Sequence, residues 1–531
     1  MTRNSAISPE NTVSAGPQAE IVDFLNNPET YGSGDVVERI ETHAAYVFLV
    51  GPDAFKIKRA VRYDYLDYST LSRRYHALQR ELELNSPAAP SIYRDVVAIT
   101  READGHLAFD GRGDAVEWVL RMNRFRAEDE LVNVAERGDL DIPLATALGR
   151  SIALYHAMAE PRPGKPGSVL IRQILDELGR EFSGLTDVFA SDDIRTFVDR
   201  SRDRLAQTRG LLDARTIAGH VRRCHGDLHL RNIVLIDGDP VPFDALEFDE
   251  ELGTCDILYD LAFLLMDLHH RKLDDAANAA FNAYLQAKTD DAQLAGLAAL
   301  PLFLGVRAAI SAMVAAQTAR ARGGDPDADA EGRRYLAEAC AALAPAAPAL
   351  VAIGGLSGTG KTTLATSLAP RLGPVPGAVH LRSDTLRKRM LGVSTETRLP
   401  DSAYSSEMSA KVYARLEEQT SAVLNAGHAV IVDAVYLAPA ERHAIAARAR
   451  ALGVPFCGLW LEAPRDVLVS RVEARRGDAS DADARVIAMQ VGRSTGDVDW
   501  TRVDASGRAE TTREMALSAL EPLAGPDAGS G

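Results

Sequence analysis

The chain has 531 residues, more than one ordinary hydrophobic core accommodates, so at least two domains are expected. A hydrophobic content of 46% and a charged content of 25% are those of a soluble globular protein, and a net charge of −16 argues against a protein that wraps nucleic acid, which shows a basic face. Cys224, Cys255, Cys340 and Cys457 form no C-x-x-C pair, which excludes a disulfide framework or a zinc knuckle and fits a reducing cytoplasm.

Residues 1–18 read as a disordered lead, and the polar start Met1-Thr2-Arg3-Asn4-Ser5 is not an apolar signal core. The longest apolar stretches, such as Leu261-Ala262-Phe263-Leu264-Leu265-Met266, are too short to span a bilayer. The expectation is a cytoplasmic protein with no membrane contact.

A first domain is expected over 19–340. Val47-Phe48-Leu49-Val50, the turn Gly51-Pro52-Asp53 and Ala54-Phe55-Lys56-Ile57-Lys58 read as a hairpin. Its two lysines point the same way because strand side chains alternate. The resemblance to the aminoglycoside phosphotransferase and choline kinase group, carried by the loop His225-Gly226-Asp227 to Asn232 and by Asp244 further along, assigns Lys56 to the ATP phosphates, with Lys58 the alternative. Glu81, on the next helix, is its expected ion-pair partner, with Glu83 the alternative. Val116–Met122 reads as a strand and hinge beside adenine. The segment Arg39–Tyr46, where a loop would cover the nucleotide, contains no glycine.

Further along stands His225-Gly226-Asp227-Leu228-His229-Leu230-Arg231-Asn232, followed by Pro242-Phe243-Asp244. Asp227 suits a base that takes a hydroxyl proton. Asn232, at the end of the same loop, and Asp244, one strand later, suit metal ligands. Glu247 is a further carboxylate for a second metal or for substrate. Asp256 and Asp260 are expected to anchor the loop, and His269-His270 to be a solvated helix end. The H-G-D-x-x-x-x-N pattern with its later aspartate resembles the aminoglycoside phosphotransferase and choline kinase group, relatives of the protein kinases. The resemblance implies a protein-kinase-like bilobal fold.

Ala344-Pro345-Ala346-Ala347-Pro348 marks a linker over 341–349. A second domain is expected over 350–523, with a loose tail over 524–531. Leu350-Val351-Ala352-Ile353 reads as a buried strand and Thr363–Leu368 as a helix. Between them, Gly355-Leu356-Ser357-Gly358-Thr359-Gly360-Lys361-Thr362 fits G-x-x-x-x-G-K-[ST] without a mismatch. In such a loop Gly355, Ser357, Gly358, Thr359, Gly360 and Thr363 cradle phosphates through backbone N–H groups. Lys361 reaches the β- and γ-phosphates, and Thr362 places its hydroxyl on Mg²⁺.

Later short apolar runs, Val379–Arg382, Ala429–Val432 and Phe456–Leu461, each precede a helical pattern. This order predicts a parallel sheet with helices on both faces and active groups beyond the strand ends. Asp433 falls there as a carboxylate for Mg²⁺, Asp384 as a general base, and Arg387 as a group for substrate anions. Arg471 and Arg475, four apart on a helix, suit charge stabilisation on a transferring phosphoryl group. Asp478–Asp483 reads as a mobile lid, and Val503–Gly507 as a last strand and turn.

Together, Gly-x-x-x-x-Gly-Lys-Thr, Ser-Asp-x-x-Arg-Lys, Val-Asp-Ala and Arg-x-x-x-Arg-Arg resemble the small-molecule P-loop kinases, the group of gluconate kinase, chloramphenicol phosphotransferase and zeta toxin. The whole arrangement resembles bacterial fusion proteins described as aminoglycoside phosphotransferase-like and ATP-binding. It implies an α/β and α+β two-domain chain with a C-terminal P-loop NTPase sheet, using ATP and Mg²⁺ to phosphorylate small hydroxyl acceptors. Two other readings are a non-catalytic N-terminal sensor that gates the P-loop half, and a zeta-toxin-like or polynucleotide-kinase-like enzyme. The acidic balance weakens the nucleic-acid version. No motif encodes the acceptor or the oligomeric state.

Overall fold

The computed structural model describes residues 18–63, 66–287, 291–474 and 480–523. By packing, the chain falls into two compact units: Met1–Gly164 with Gly219–Leu264, and Lys165–Ala218 with Leu265–Gly531. The fold is the mixed α/β and α+β one expected from sequence.

The first unit is built on a six-stranded antiparallel sheet. Its order is Glu38–Glu41, Ala45–Val50, Asp53–Lys58, Asp114–Asn123, Tyr93–Arg101, Leu107–Phe109. One face buries Phe48, Val50, Phe55, Ile57, Ile99 and Val119 against Ile21, Val22 and Leu25 of the helix Ala19–Asn26. Each such side chain, fully buried, contributes roughly 1.5–3 kcal/mol. The other face packs Ala54, Leu120 and Met122 against Leu78 of the helix Leu71–Asn85 and against Val234 and Phe243. Thr70 caps that helix by accepting the N–H of Arg73. The expected hairpin is present, with Val47 opposite Lys56. A second hairpin, Ile233–Ile236 with Asp239–Pro242, runs between Asn232 and Asp244. It returns the chain so that Phe243 N–H bonds Asn232 O at 2.9 Å, which brings two candidate metal ligands to one end.

The second unit holds a five-stranded sheet in the order Val379–Arg382, Val430–Asp433, Leu350–Gly355, Phe456–Glu462, Thr501–Asp504. All its pairings are parallel, as the alternation of apolar runs and helical patterns predicts. The central strand is buried along its whole length, which is why it reads as a continuous apolar run. Val351, Ile353, Ile431 and Leu459 pack under Leu364, Ala365 and Leu368 of the helix Lys361–Leu368.

Side-chain amides of the helix Asp274–Ala287 cover the exposed edge of this sheet. Asn282 accepts the N–H of His380 at 2.7 Å and donates to Ala378 O at 3.1 Å, and Asn278 donates to Pro376 O and Ala378 O. A carboxamide that both donates and accepts takes the place of a neighbouring strand.

The stretch Asp291–Ala321 is long and apolar enough to cross a bilayer, but 72% of its most apolar window is buried inside the protein. His270 is not the solvated helix end expected. It is buried, bonds Glu338 at 2.8 Å and Glu331 at 2.6 Å, and stacks on Tyr335. The carboxylates that fix it lie more than sixty residues away, so no local pattern shows them.

Candidate active sites

In the second unit the phosphate loop joins the central strand to the helix Lys361–Leu368. Gly355, Gly358 and Gly360 all have φ in the left-handed region, at 135°, 88° and 87°. At Gly358 a Cβ would also stand 2.8 Å from Leu468 O. Gly358→Ala is therefore expected to lose about 1–3 kcal/mol from backbone strain and overlap. A urea melt checks it, with Gly360→Ala, which has open space, losing less.

Lys361 Nζ donates to Gly355 O at 2.9 Å and Leu356 O at 3.0 Å, so it lies folded over its own loop. Thr362 Oγ1 donates to Asp433 Oδ2 at 2.5 Å. The sheet register sets Ile353, Asp433 and Arg382 side by side, which explains how residues 71 positions apart meet. Burial opposes the charge of Asp433. The adjacent His380 ring (Nε2 at 3.6 Å), Lys361 and Arg382 outweigh burial and hold the pKa down at about 2. Asp384 shows the reverse. Burial and the nearby Asp433 charge push its pKa above the usual carboxylate range. Two carboxylates shifted in opposite directions suit a metal ligand and a proton acceptor.

Other expected residues lie elsewhere than foreseen. Arg471 donates to Ala505 O at 2.7 Å and Gly507 O at 3.0 Å, so its guanidinium holds the turn after the last strand. The turn carbonyls lie within its reach, and charge-assisted bonds to them satisfy it. Arg475 lies outside the described residues. Arg387 is buried, with its guanidinium 4.8 Å from the Tyr404 ring centre and one N–H on Ala403 O at 2.8 Å. Of the expected mobile segment, residues 478–479 lie outside the described residues, but Asp481 is anchored. It accepts from Lys388 Nζ at 3.0 Å, Leu399 N at 3.0 Å and Tyr404 OH at 2.8 Å. Gln490, which sequence reading did not single out, bonds the phosphate loop directly: Ser357 N–H reaches its Oε1 at 2.9 Å, and its Nε2 reaches Ser357 Oγ at 3.0 Å.

In the first unit both candidate lysines meet Glu81. Lys56 Nζ and Lys58 Nζ each lie 2.6 Å from an oxygen of Glu81, which is 0% exposed. Lys56 also bonds Asp244 at 2.8 Å, whereas Lys58 bonds Glu247 at 2.5 Å. Only Lys56 therefore reaches the half-open carboxylate. Burial opposes both ammonium charges, but the facing carboxylates more than offset it and hold both pKa values above the ordinary lysine value. Glu83 is exposed and pairs with Arg80, so it is not the partner. Glu247 is not a spare ligand for metal or substrate: it is tied to Lys58 and to Tyr68 OH at 2.9 Å. Strand alternation turns Lys58 inward, and a buried ammonium needs a second carboxylate.

The loop around Asp227 is fixed from below. Asp260 accepts the N–H groups of His225 at 3.1 Å and Gly226 at 2.9 Å, as expected of an anchor, whereas Asp256 accepts Leu258 N. Asn232 Nδ2 bonds Asp227 Oδ2 at 3.0 Å. Asp244 has a left-handed φ of 60°, unusual for a residue with a side chain and costing about 1–2 kcal/mol. Its N–H is held by Tyr93 OH at 3.0 Å. In the glycine-free covering turn, Thr42 Oγ1 already accepts the N–H of Ala45 at 2.9 Å.

The phosphate loop with its Thr362–Asp433 pair marks one half as a P-loop fold, and the other half combines a lysine–glutamate pair with a His-Gly-Asp loop in a kinase-like fold. Residues 350–495 match the family model described as an AAA domain. The chain belongs to the family of the uncharacterized protein Rv2004c of Mycobacterium tuberculosis (strain ATCC 25618 / H37Rv). The two are 31% identical over 489 residues, which cover 88% of this chain and 92% of the relative. The uncharacterized protein Mb2027c of Mycobacterium bovis (strain ATCC BAA-935 / AF2122/97) matches with the same identity and coverage. Among solved structures, the chain is similar to the amicoumacin kinase hAmiN, at 16% identity over 61% of this chain and 93% of that one, with a TM-score of 0.39. It is also similar to a gluconokinase from Sinorhizobium meliloti 1021, at 20% identity over 33% of this chain and 94% of that one, with a TM-score of 0.25.

Proposed function

We propose that this chain is a cytoplasmic, bifunctional ATP-dependent phosphotransferase, each half moving the γ-phosphoryl group of Mg·ATP to a hydroxyl of a small molecule. Neither nucleic acid nor membrane is a partner in this reading. The observation that carries it is the Thr362–Asp433 hydrogen bond at the mouth of a complete phosphate loop. A hydroxyl and a carboxylate held together are the oxygen donors a magnesium ion takes. The three left-handed glycines leave room for phosphate against the backbone. The residues present thus fit Mg·ATP, which when bound supplies the electrophilic phosphorus and its charge neutralisation.

In the C-terminal half, Asp384 takes the proton from the acceptor hydroxyl, whose oxygen then bonds to the γ-phosphorus as ADP leaves. Lys361 stabilises phosphate charge. Because the pKa of Asp384 is raised, activity of this half is expected to climb as pH rises through that value. In the N-terminal half, Asp227 takes the same role, Lys56 binds phosphate, and Asn232 and Asp244 hold metal.

A second reading, in which the N-terminal half only senses a ligand and controls the other half, is favoured by one observation. The covering turn has already given the Ala45 N–H to Thr42, so it offers phosphate fewer donors.

The test is magnesium-dependent ATP consumption against pooled metabolites and aminoglycosides, using wild type, Asp227→Asn and Asp384→Asn. Each substitution is expected to remove a different substrate-stimulated activity by about 10²-fold or more. If Asp227→Asn leaves every activity intact, the sensing reading replaces the bifunctional one.

A further inference from the structure

The segment Ser480–Val491 touches both working parts of the C-terminal half. At one end Asp481 collects Lys388, the Leu399 N–H and Tyr404 OH. Lys388 is buried and lies on the helix Ser383–Met390, whose second residue is Asp384. At the other end Gln490 makes a reciprocal pair with Ser357, giving one N–H and taking another. Packing fixes which way it faces. On the helix Ala484–Val491, Ile487 is fully buried against Leu468 and Val472, beside the partly buried Leu356 of the loop. Gln490 is three residues on, hence on the same helical face. Asp483 caps the helix by accepting Arg485 N and Val486 N, so the segment is ordered at both ends.

A phosphate loop works by offering free backbone N–H groups to an anion. Here the Ser357 N–H is already filled by a neutral carboxamide oxygen. We propose that Gln490 is a positioning residue that competes with nucleotide phosphate for the loop, so that nucleotide binding frees the segment which Asp481 ties to the acceptor side. This rests on the reading of residues 355–362 as an ATP site. When phosphate takes the loop, the Gln490 carboxamide exchanges Ser357 for water or for the nucleotide, and the helix Ala484–Val491 loosens at that end. The acceptor side then keeps its ties to Asp481 and to Asp483, which pairs with Arg398 at 3.0 Å. Binding order follows from this: nucleotide first, acceptor second.

The competition makes opposite predictions for two substitutions at one position. Gln490→Ala removes the competitor, so the full-length protein is expected to bind Mg·AMP-PNP about fivefold or more tightly than wild type, because the competent fraction of loops rises. Gln490→Glu keeps an acceptor for the Ser357 N–H but sets a negative charge beside phosphate, and binding is expected to weaken about tenfold. Calorimetric titration of both variants, with their thermal midpoints, reads this directly and needs no acceptor. Hydrogen exchange of residues 484–491 in wild type is expected to rise when Mg·AMP-PNP binds. Equal or weaker binding by Gln490→Ala, or added protection of 484–491 on binding, overturns the proposal. If wild type binds no Mg·AMP-PNP that Lys361→Ala abolishes, the ATP-site reading has failed instead.

Discussion

Lys361→Ala is expected to remove nucleotide binding and turnover from the C-terminal half while leaving the fold almost unchanged. The Lys361 ammonium is the cation carried by the phosphate loop itself, and it now rests on the carbonyls of Gly355 and Leu356 at 2.9 and 3.0 Å. Those two bonds are each worth about 1 kcal/mol net, which bounds the loss of stability at about 2 kcal/mol. Binding is another matter. A multiply charged anion would meet only N–H dipoles, and loss of one such preorganised group costs about 10²–10³-fold in transition-state stabilisation. Titration with a fluorescent ATP analogue checks this, and retention of affinity within about threefold of wild type would sink the P-loop assignment. The Thr362–Asp433 pair is expected to survive the substitution. Asp433 is held at a pKa of about 2, below the usual carboxylate range. A depressed carboxylate stabilises the fold above its unfolded pKa and loses that contribution as pH falls through the folded value. The pair is therefore intact at neutral pH and lost only in acid, between about 4 and 2.

What could be read from sequence follows from the range of the forces involved. The phosphate loop was legible because its chemistry is local: eight consecutive residues carry the glycines, the lysine and the threonine. The parallel sheet is legible because its inner strands Leu350–Gly355 and Val430–Asp433 are buried throughout and so appear as apolar runs. Asp433 and Asp384 were found by their place at strand ends, a rule of topology. The two lysines illustrate the limit. Alternation showed that Lys56 and Lys58 share a face, but only the fold shows that Glu81 serves both and that Asp244 selects Lys56. Arg471 shows a related limit. Its helical position was right, but the carbonyls that hold it come from residues 34 to 36 positions later. Gln490 carried no signal at all, because an uncharged amide in an amphipathic helix resembles any surface glutamine. Its partner lies 133 residues away.

The largest expected stability change belongs to Glu81. This carboxylate is fully buried and is the shared counter-charge of two ammonium groups, each 2.6 Å away, with Lys58 itself only 2% exposed. Glu81→Ala leaves two cations facing a cavity. Breaking a buried pair from one side typically costs 3–5 kcal/mol, because the stranded charge has lost water without keeping its partner. For a unit of about this size that is a fall in thermal midpoint of roughly 6–20 °C. The remaining carboxylates make the loss partial: Glu247 still holds Lys58, and Asp244 still holds Lys56. That rescue has its own consequence. Lys56 would be drawn onto Asp244, taking up the carboxylate proposed to hold metal, so N-terminal activity is expected to fall further than folding alone explains. Glu83→Ala is the control. Glu83 is exposed and, among the described residues, pairs with Arg80 three residues before it, so it should change stability by less than about 0.5 kcal/mol. The pH dependence of the intact network follows from its shifted groups. The raised lysines stabilise below their unfolded pKa and lose that effect only as pH rises through still higher folded values. Glu247 is buried, which opposes its charge, but Lys58 and Lys56 hold its pKa below the ordinary glutamate value; its contribution is present above that ordinary value and fades as pH falls through the depressed one. The network is thus expected to be level across neutral pH and to fail in acid first. A calorimetric series from pH 3 to 9 on wild type, Glu81→Ala and Glu83→Ala separates the cases. Equal midpoints for the two variants would mean that the lysines are held by Asp244 and Glu247 alone, and that Glu81 is not the hub the geometry makes it.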